Sequence, residues 1–157
     1  AELYGGPVSA APNHYENKER AVRACENVYA VGDAVGMCRF TTKLFNSPSL
    51  PGLEEFSGQI ANVTGLNFGV EELDQVGLNI MGVERMINAR LGVRRSDDTL
   101  PDRWFNEEIG VGAYKTEKID RHEFDQLLSR FYEISHLNTD GVPIDEWRRE
   151  LESVLGA

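Results

Sequence analysis

An aspartate and a cysteine are the residues whose types are best suited to bind a metal or cofactor. They lie in the stretch Asp33–Cys38, which reads Asp-Ala-Val-Gly-Met-Cys. A thiolate at a turn can bind a soft metal, such as the iron of an iron–sulfur cluster. A lone cysteine at a turn can equally be structural, and the residues alone leave both roles open. The other cysteine, Cys25, lies on the apolar face of a predicted helix, where we expect a small buried side chain.

A second candidate is the segment 136–147, which resembles the calcium-binding loop of an EF-hand. Aligning Gly141 with the invariant glycine of that loop places His136 at the first ligand position and Trp147 at the twelfth. Neither side chain supplies the hard oxygen donor that calcium requires. We therefore expect a tight turn at Asp140-Gly141 between two helices, and keep a calcium-binding or partner-binding helical module as an alternative.

Other spacings do not indicate a catalytic motif. His14, His122 and His136 have no cysteine or histidine partner at metal-ligand spacing. The sequence contains neither a G-x-S-x-G nucleophile elbow nor a G-x-x-x-x-G-K-[ST] phosphate loop. Asp97 and Asp98, which follow two arginines, could form a metal or catalytic pair, but such a cluster is usually a solvated loop or a helix-end charge arrangement. The catalytic residues are therefore unknown at this stage.

The composition disfavours several classes of protein. The chain has 157 residues and a net charge of −10, so it repels nucleic-acid phosphates and offers no basic face to an anionic membrane. No run approaches the roughly 18 apolar residues of a membrane helix. The first ten residues lack the features of a signal peptide. Two cysteines make no disulfide framework, so a cytoplasmic location is expected. A start at Ala1 instead of Met indicates a processed start or a fragment.

Apolar periodicity predicts an all-α domain of about five helices with long connectors. The predicted helices cover about residues 16–31, 53–63, 70–91 and 121–134, followed by a last helix with Pro143 in its first turn. Inward-facing residues are expected at helical spacing in each: Ala21, Cys25, Val28 and Tyr29; Phe56 and Ile60; Leu73, Val76, Ile80, Val83 and Ile87; Phe124, Leu127, Leu128 and Phe131; Trp147, Leu151 and Val154.

Local signals define some of the connections between these helices. Asp120 with Glu123 resembles a capping box at a helix start. Residues 46–52 are predicted to be a loop from their Asn, Ser, Pro and Gly content. Residues 104–117 are ambiguous between a loop and one short extended segment.

Five stretches, taken in order, resemble one family. Asp33–Cys38, followed by Arg39-Phe40-Thr41, resembles the D-x-x-G-L-C motif of the aldehyde ferredoxin oxidoreductase family. The resemblance spans roughly residues 20–155. The other stretches that carry it are Asn62–Gly65 (N-V-T-G), Gly82–Arg90 (G-V-E-R-M-I-N-A-R), Asp97–Pro101 (D-D-T-L-P), and the closing segment made of Phe131–Glu133 (F-Y-E) and Asp140–Pro143 (D-G-V-P).

The resemblance implies cofactors that this chain shares with other parts of a longer enzyme. Members of the family hold tungsten, sometimes molybdenum, between two pterin dithiolenes, and carry one [4Fe-4S] cluster. By the resemblance, Cys38 is one of four thiolate ligands of the cluster. Asp33 accepts hydrogen bonds from the amino groups of a pterin, and Met37 offers backbone contacts to the same pterin.

Two kinds of departure from the family pattern affect this interpretation. Met37 replaces the motif leucine, and Ser135–Leu137 stands where the family has Arg-Gly-Trp. The C-x-x-C-x-x-x-C run that supplies the other cluster ligands is absent, as is the sheet-rich domain that binds the pterins. Residues 1–157 are therefore interpreted as a single helical domain, the carboxy-terminal part of a larger multidomain subunit, and inactive alone.

The implied activity is oxidation of an aldehyde to a carboxylate with ferredoxin as electron acceptor. An alternative is the catalytic subunit of a tungsten aromatic acyl-CoA (benzoyl-CoA type) reductase, because Ser135–Leu137 leaves that branch open. A second alternative is a non-enzymatic helical binding module with a degenerate EF-hand-like loop. Expected partners are the remainder of its own subunit and ferredoxin or an iron–sulfur electron-transfer subunit, in an anaerobic cytoplasm, with neither nucleic acid nor membrane.

Overall fold

A computed structural model describes residues 6–11, 13–42 and 50–156. Within these ranges an isolated antiparallel bridge joins Leu137 to Pro143, and no strand forms. The predicted all-α fold with five main helices is confirmed, with one further helix of a single turn and a 3₁₀ turn at Arg39–Thr41. The helices are α1 (Lys18–Ala34), α2 (Leu53–Thr64), α3 (Val70–Arg90), α4 (Arg103–Asn106), α5 (Arg121–Ile134) and α6 (Asp145–Leu155).

Helices α2 and α3 begin with the same capping interaction. The backbone N–H of Gly52 donates to Oε2 of Glu55 at 2.7 Å, and that of Gly69 donates to Oε2 of Glu72 at 2.7 Å. Each glutamate satisfies a backbone donor at a helix start, where the N–H groups have no partner within the helix. The glutamates also place negative charge at the positive end of the helix dipole.

The predicted cap at Asp120 is confirmed in part. Oδ1 of Asp120 accepts the backbone N–H of Glu123 at 2.9 Å. The N–H of Asp120 donates instead to the hydroxyl of Tyr15 at 2.8 Å, so a tyrosine from before α1 completes the cap. The placement of Pro143 inside the last helix is wrong. Helix α6 starts at Asp145, two residues later, because the proline is still part of the bridge with Leu137.

The remaining sequence predictions concern loops. Residues 104–117 form the end of α4 and a tight loop, in which the N–H of Ile109 donates to Glu117 O and that of Thr116 donates to Ile109 O, both at 2.9 Å. This pairing is too short to count as a strand. The loop predicted at residues 46–52 lies outside the described residues except for its last three. No helix in the described ranges is long and apolar enough to cross a membrane.

Helix α3 is shared by two hydrophobic clusters. The first, here the amino-terminal cluster, joins α1, α2 and the first half of α3. The second, here the carboxy-terminal cluster, joins the second half of α3 to α5 and α6. The buried members of the amino-terminal cluster are Val28, Val31, Phe56 and Leu73. Those of the carboxy-terminal cluster are Leu78, Met86, Phe131, Tyr132, Leu137, Trp147 and Leu151.

The residues predicted to face inward are buried or half-buried, with two exceptions. Ile87 is 52% exposed and Val154 is 75% exposed, so these two predictions are wrong. The error in α3 comes from its glycines. Its buried stripe includes Gly77 and Gly82, which a search for apolar side chains does not register.

At Gly77 the backbone of α1 lies directly against α3. A Cβ atom at this position would lie 2.7 Å from the carbonyl oxygen of Asn27 on α1. The buried side chain of Asn27 donates from Nδ2 to the backbone oxygen of Asp74 at 3.1 Å and to its Oδ1 at 2.7 Å. Glycine at position 77 therefore lets the backbones of α1 and α3 approach each other closely, and the Asn27 amide there is hydrogen-bonded.

This contact predicts opposite effects for two glycine substitutions. Gly77→Ala should lower the free energy of unfolding by about 1–3 kcal/mol, because the added methyl overlaps the backbone of α1. Gly58→Ala, in α2, should raise it by about 0.5–1 kcal/mol, because no atom lies within 4 Å of the new Cβ and alanine favours the helix. Urea unfolding monitored by circular dichroism measures both. Equal effects at the two positions would contradict the proposed close contact.

Candidate functional site

The stretch Asp33–Cys38 forms the turn that ends α1. Gly36 has a left-handed backbone with φ of 77°. Its N–H donates to Asp33 O at 3.1 Å, and the N–H of Met37 donates to Gly32 O at 2.8 Å. These two bonds define a Schellman motif, in which the left-handed residue is usually glycine. The spacing of aspartate, glycine and cysteine in this stretch thus has a local structural basis.

The turn presents Met37 and Cys38 in different ways. Met37 is half-buried and packs against the amino-terminal cluster. Because its N–H is bonded to Gly32, a backbone contact from Met37 to a pterin would have to come from its carbonyl oxygen. Cys38 is exposed and has a free thiol. Its carbonyl oxygen accepts Oγ1 of Thr41 at 2.7 Å, which holds the backbone of the cysteine in the 3₁₀ turn.

Asp33 is exposed and forms a two-point contact with Arg39. Nε of Arg39 donates to Oδ1 at 3.3 Å, and Nη2 donates to Oδ2 at 2.5 Å. The guanidinium also lies 5.2 Å from the ring centre of Tyr29. The hydrogen bond from Arg39 holds the pKa of Asp33 below its ordinary value. The carboxylate is therefore charged at neutral pH and able to accept two donors from one planar group.

The two cysteines do not form a common site. Cys25 lies nine residues before the end of α1, which is about 13 Å along the helix axis. Its side chain is half-buried, and burial together with Glu26 raises the pKa of the thiol. Across the described ranges, no group of three or more His, Cys, Asp or Glu residues is arranged to hold a metal ion. Cys38 is thus the one cysteine positioned as an accessible ligand.

Several of the family-like stretches meet at Asp98, which sequence inspection did not identify as a contact point. Oδ2 of Asp98 accepts the hydroxyl of Tyr132 at 2.5 Å and Nη1 of Arg85 at 2.7 Å. The guanidinium groups of Arg85 and Arg95 lie 5.9 Å and 5.2 Å from the Tyr132 ring centre. A Cβ at Gly141 would lie 2.7 Å from the same hydroxyl.

The contacts around Asp98 give a structural reason for Arg85, Tyr132 and Gly141 in three of the other family-like stretches. They connect α3, the Asp97–Pro101 connector, α5 and the turn before α6. Burial, followed by the hydrogen bond to Asp98, raises the pKa of Tyr132, which therefore remains a donor at neutral pH. The expectation of a solvated loop is wrong for Asp98, whose side chain is only 21% exposed. Its partners Arg85 and Tyr132 are far away in sequence, so the pairing has no local signal.

Glu26 is a second residue that sequence inspection missed. It lines a small cavity of about 20 Å³ between α1, α3 and the end of α5, together with Arg23, Arg85 and Ser135. Burial raises the pKa of Glu26 to about 7, against the opposing effect of the two arginines. The buried hydroxyl of Ser135 has no hydrogen-bond partner among the described residues. Glu26 lies at the edge of the apolar face of α1. A charged residue at that position is common in amphipathic helices and therefore does not indicate a buried carboxyl.

The predicted tight turn in segment 136–147 is confirmed. Oδ1 of Asn138 accepts the backbone N–H groups of Asp140 at 3.0 Å and Val142 at 3.1 Å. Trp147, at the position of the twelfth EF-hand ligand, is buried in the carboxy-terminal cluster. The side-chain oxygen of Asn138 thus holds the turn, and the described residues, this segment included, contain no group of three or more His, Cys, Asp or Glu placed to hold a metal ion.

The fold and site define an all-α domain that presents an acceptor carboxylate and one accessible thiol at the end of its first helix. The family model described as aldehyde ferredoxin oxidoreductase, domains 2 and 3, matches residues 1–152. The chain belongs to the aldehyde ferredoxin oxidoreductase family, as the resemblance in the sequence predicted.

Relatives and a solved structure agree with this assignment. The tungsten-containing aldehyde ferredoxin oxidoreductases of Pyrococcus horikoshii and Pyrococcus abyssi are each 28% identical over 152 residues, covering 96% of this chain and 24% of theirs. The chain thus spans about a quarter of the length of these relatives. The active site complex BamBC of benzoyl coenzyme A reductase, with 1,5 dienoyl-CoA, has a TM-score of 0.69 at 22% identity, covering 93% of this chain and 21% of that one. This similarity shows the fold.

The raised pKa of Glu26 predicts a pH-dependent effect of Glu26→Gln. Because the folded-state pKa of about 7 exceeds the ordinary 4.5, the folded protein binds more protons than the unfolded chain between these values. The neutral carboxyl contributes its full stabilisation below the unfolded-state pKa of 4.5, and this contribution is lost as the pH rises through the folded-state pKa of about 7. The variant should therefore gain stability relative to wild type between about pH 5 and 7, by up to about 3 kcal/mol.

Urea unfolding of both proteins across this pH range provides the measurement. Glu16→Gln, at an exposed position before α1, is the matched control for the loss of one carboxylate charge. A stability difference for Glu26→Gln that stays constant with pH would contradict the buried environment of Glu26.

Proposed function

We propose that this chain is the carboxy-terminal helical part of a tungsten-pterin, iron–sulfur oxidoreductase that oxidises aldehydes to carboxylates with ferredoxin as acceptor. The observation that carries the proposal is the Asp33–Cys38 turn, in which a carboxylate and a thiol are both exposed within six residues of a member of this family. An aldehyde and water give a carboxylic acid, two protons and two electrons. The tungsten (or molybdenum) bis-pterin and the [4Fe-4S] cluster, when bound, supply this redox chemistry.

Asp33 is proposed to accept paired N–H groups from a pterin. Its contact with Arg39 supports this role, because the two carboxylate oxygens already accept two N–H groups from one planar guanidinium. The amino group and neighbouring ring N–H of a pterin form a similar planar donor pair. The lowered pKa of Asp33 keeps the carboxylate ionised and so in its accepting form. Met37 would add its carbonyl oxygen.

Cys38 is proposed as one thiolate ligand of the [4Fe-4S] cluster. Its exposure at the end of α1 supports this role, since the thiol can reach iron held mainly by other parts of a subunit. The remaining ligands would come from the rest of that subunit, because the described residues contain no group of metal ligands. The five-residue separation of Asp33 and Cys38 would keep pterin and cluster close for electron transfer.

An aromatic acyl-CoA reductase of the benzoyl-CoA type is the second candidate function. The similarity of the fold to the BamBC complex favours its consideration, together with Ser135–Leu137 in place of Arg-Gly-Trp. Assays of the full-length enzyme separate the two candidates. Aldehyde-dependent reduction of ferredoxin supports the first, and reduction of benzoyl-CoA supports the second.

The partners follow from the same proposal. The remainder of the subunit would cover the end of α1 that carries Asp33 and Cys38. Ferredoxin or an iron–sulfur electron-transfer subunit would receive the electrons in an anaerobic cytoplasm. The net charge of −10 is consistent with neither nucleic acid nor an anionic membrane as a partner.

The proposed ligand role predicts different effects for the two cysteines. In the full-length enzyme, Cys38→Ser should lower the iron content and the charge-transfer absorption of the cluster. Cys25→Ser is the matched control and should leave both unchanged, because that thiol is half-buried and distant. Iron analysis and visible spectra under anaerobic conditions measure the outcome. Loss of iron in Cys25→Ser with retention in Cys38→Ser would reverse the assignment.

The 157-residue chain alone should fail to hold a stable [4Fe-4S] cluster. It contains two cysteines, whereas a cluster requires four ligands. Anaerobic reconstitution with iron and sulfide, followed by desalting and visible spectroscopy, tests this expectation. A robust four-iron spectrum from the desalted chain would show that the missing-ligand argument is wrong.

A further inference from the structure

We infer that the guanidinium of Arg39 occupies the pterin-binding edge of the Asp33 carboxylate through an ion pair. A pterin must displace this guanidinium in order to bind Asp33. This inference rests on the proposed function, because it takes Asp33 as the carboxylate that binds the pterin. It adds a competing residue within the chain, which the proposed function does not require.

The geometry of the ion pair supports direct competition. The two donors of Arg39, Nε and Nη2, each contact a different oxygen of Asp33. A carboxylate has one edge on which two parallel N–H donors can meet both oxygens at once. The planar donor edge of a pterin requires this same edge. Binding of the pterin at Asp33 therefore requires Arg39 to leave it.

The fold keeps Arg39 close to Asp33. The Schellman motif reverses the chain at Gly36, and the 3₁₀ turn that begins at Arg39 continues this reversal. Tyr29 precedes Asp33 by four residues, about one turn of α1, so both lie on the same side of the helix. The ring of Tyr29, 5.2 Å from the guanidinium, gives Arg39 a second contact at this position.

The exposure of the pair makes it exchangeable. The side chains of Arg39 and Asp33 are 59% and 47% exposed. Ion pairs at such exposed positions contribute little to stability, because water solvates both partners when they separate. Arg39 can thus move away at low cost when a better donor edge arrives, and return when the site is empty.

Binding of pterin (2-amino-4-oxopteridine) to the 157-residue chain, followed by NMR, tests this inference. Arg39→Gln should bind the pterin more tightly than wild type, by about threefold or more, because the ion pair between Arg39 and Asp33 no longer competes with the pterin. In wild type, the Nε signal of Arg39 should move towards the value of a free arginine as pterin is added. Asp33→Asn should not bind. Backbone amide spectra confirm that each variant is folded.

Arg121→Gln is the matched control. Arg121 also pairs with an aspartate, Asp102, at 2.9 Å, and lies 3.9 Å over the ring of Phe105. Its ion pair resembles that of Arg39 but belongs to α5 and the connector before α4. This variant should bind pterin with the affinity of wild type, so that a general loss of surface charge is separated from the specific effect at Asp33.

The outcomes distinguish the inference from the proposed function. Equal affinity of wild type and Arg39→Gln, with loss of binding in Asp33→Asn, would overturn the role of Arg39 and leave Asp33 as the pterin ligand. Unchanged binding in Asp33→Asn, or no binding by any variant, would overturn the proposed role of Asp33 and with it the role of Arg39.

Discussion

The structure depends on the close contact between α1 and α3 at Gly77. Because this residue has no side chain, the backbone of α1 at Asn27 can lie directly against α3, and the Asn27 amide is satisfied by Asp74. Helix α3 in turn contributes to both hydrophobic clusters. The position of α1 therefore depends on its close packing against α3, and α1 also packs against α5.

Helix α1 carries the candidate site residues, and this packing holds the helix in place. Its carboxyl end holds the turn with Asp33, Met37 and Cys38, and Met37 ties that turn to the amino-terminal cluster. Its middle directs Glu26 into the cavity beside Arg85. Arg85 also bonds to Asp98, so α3 links the cavity to the cluster around Tyr132. A site at the end of a well-packed helix is held more precisely than one on a long loop.

Much of this architecture could be predicted because it is encoded locally. The periodicity of apolar residues located the five main helices, and the order of short motifs indicated the family. The contacts of Asp98 could not be predicted, because its partners Arg85 and Tyr132 lie 13 and 34 residues away. The exposure of Ile87 was missed because glycines, not large side chains, form part of the buried stripe of α3. The pairing of Arg39 with Asp33 depends on a chain reversal that spacing alone does not specify.

We propose that the Asp33–Cys38 turn supplies one cluster ligand and one pterin contact to the larger subunit. Crystallography of the full-length subunit that contains these residues, with anomalous scattering at the iron and tungsten edges, tests it most directly. In this crystal structure, Sγ of Cys38 should be bonded to iron, the Asp33 carboxylate should face a pterin, and Arg39 should be turned away from Asp33. A cluster with four other ligands, and Cys38 free in solvent, would exclude Cys38 as a cluster ligand.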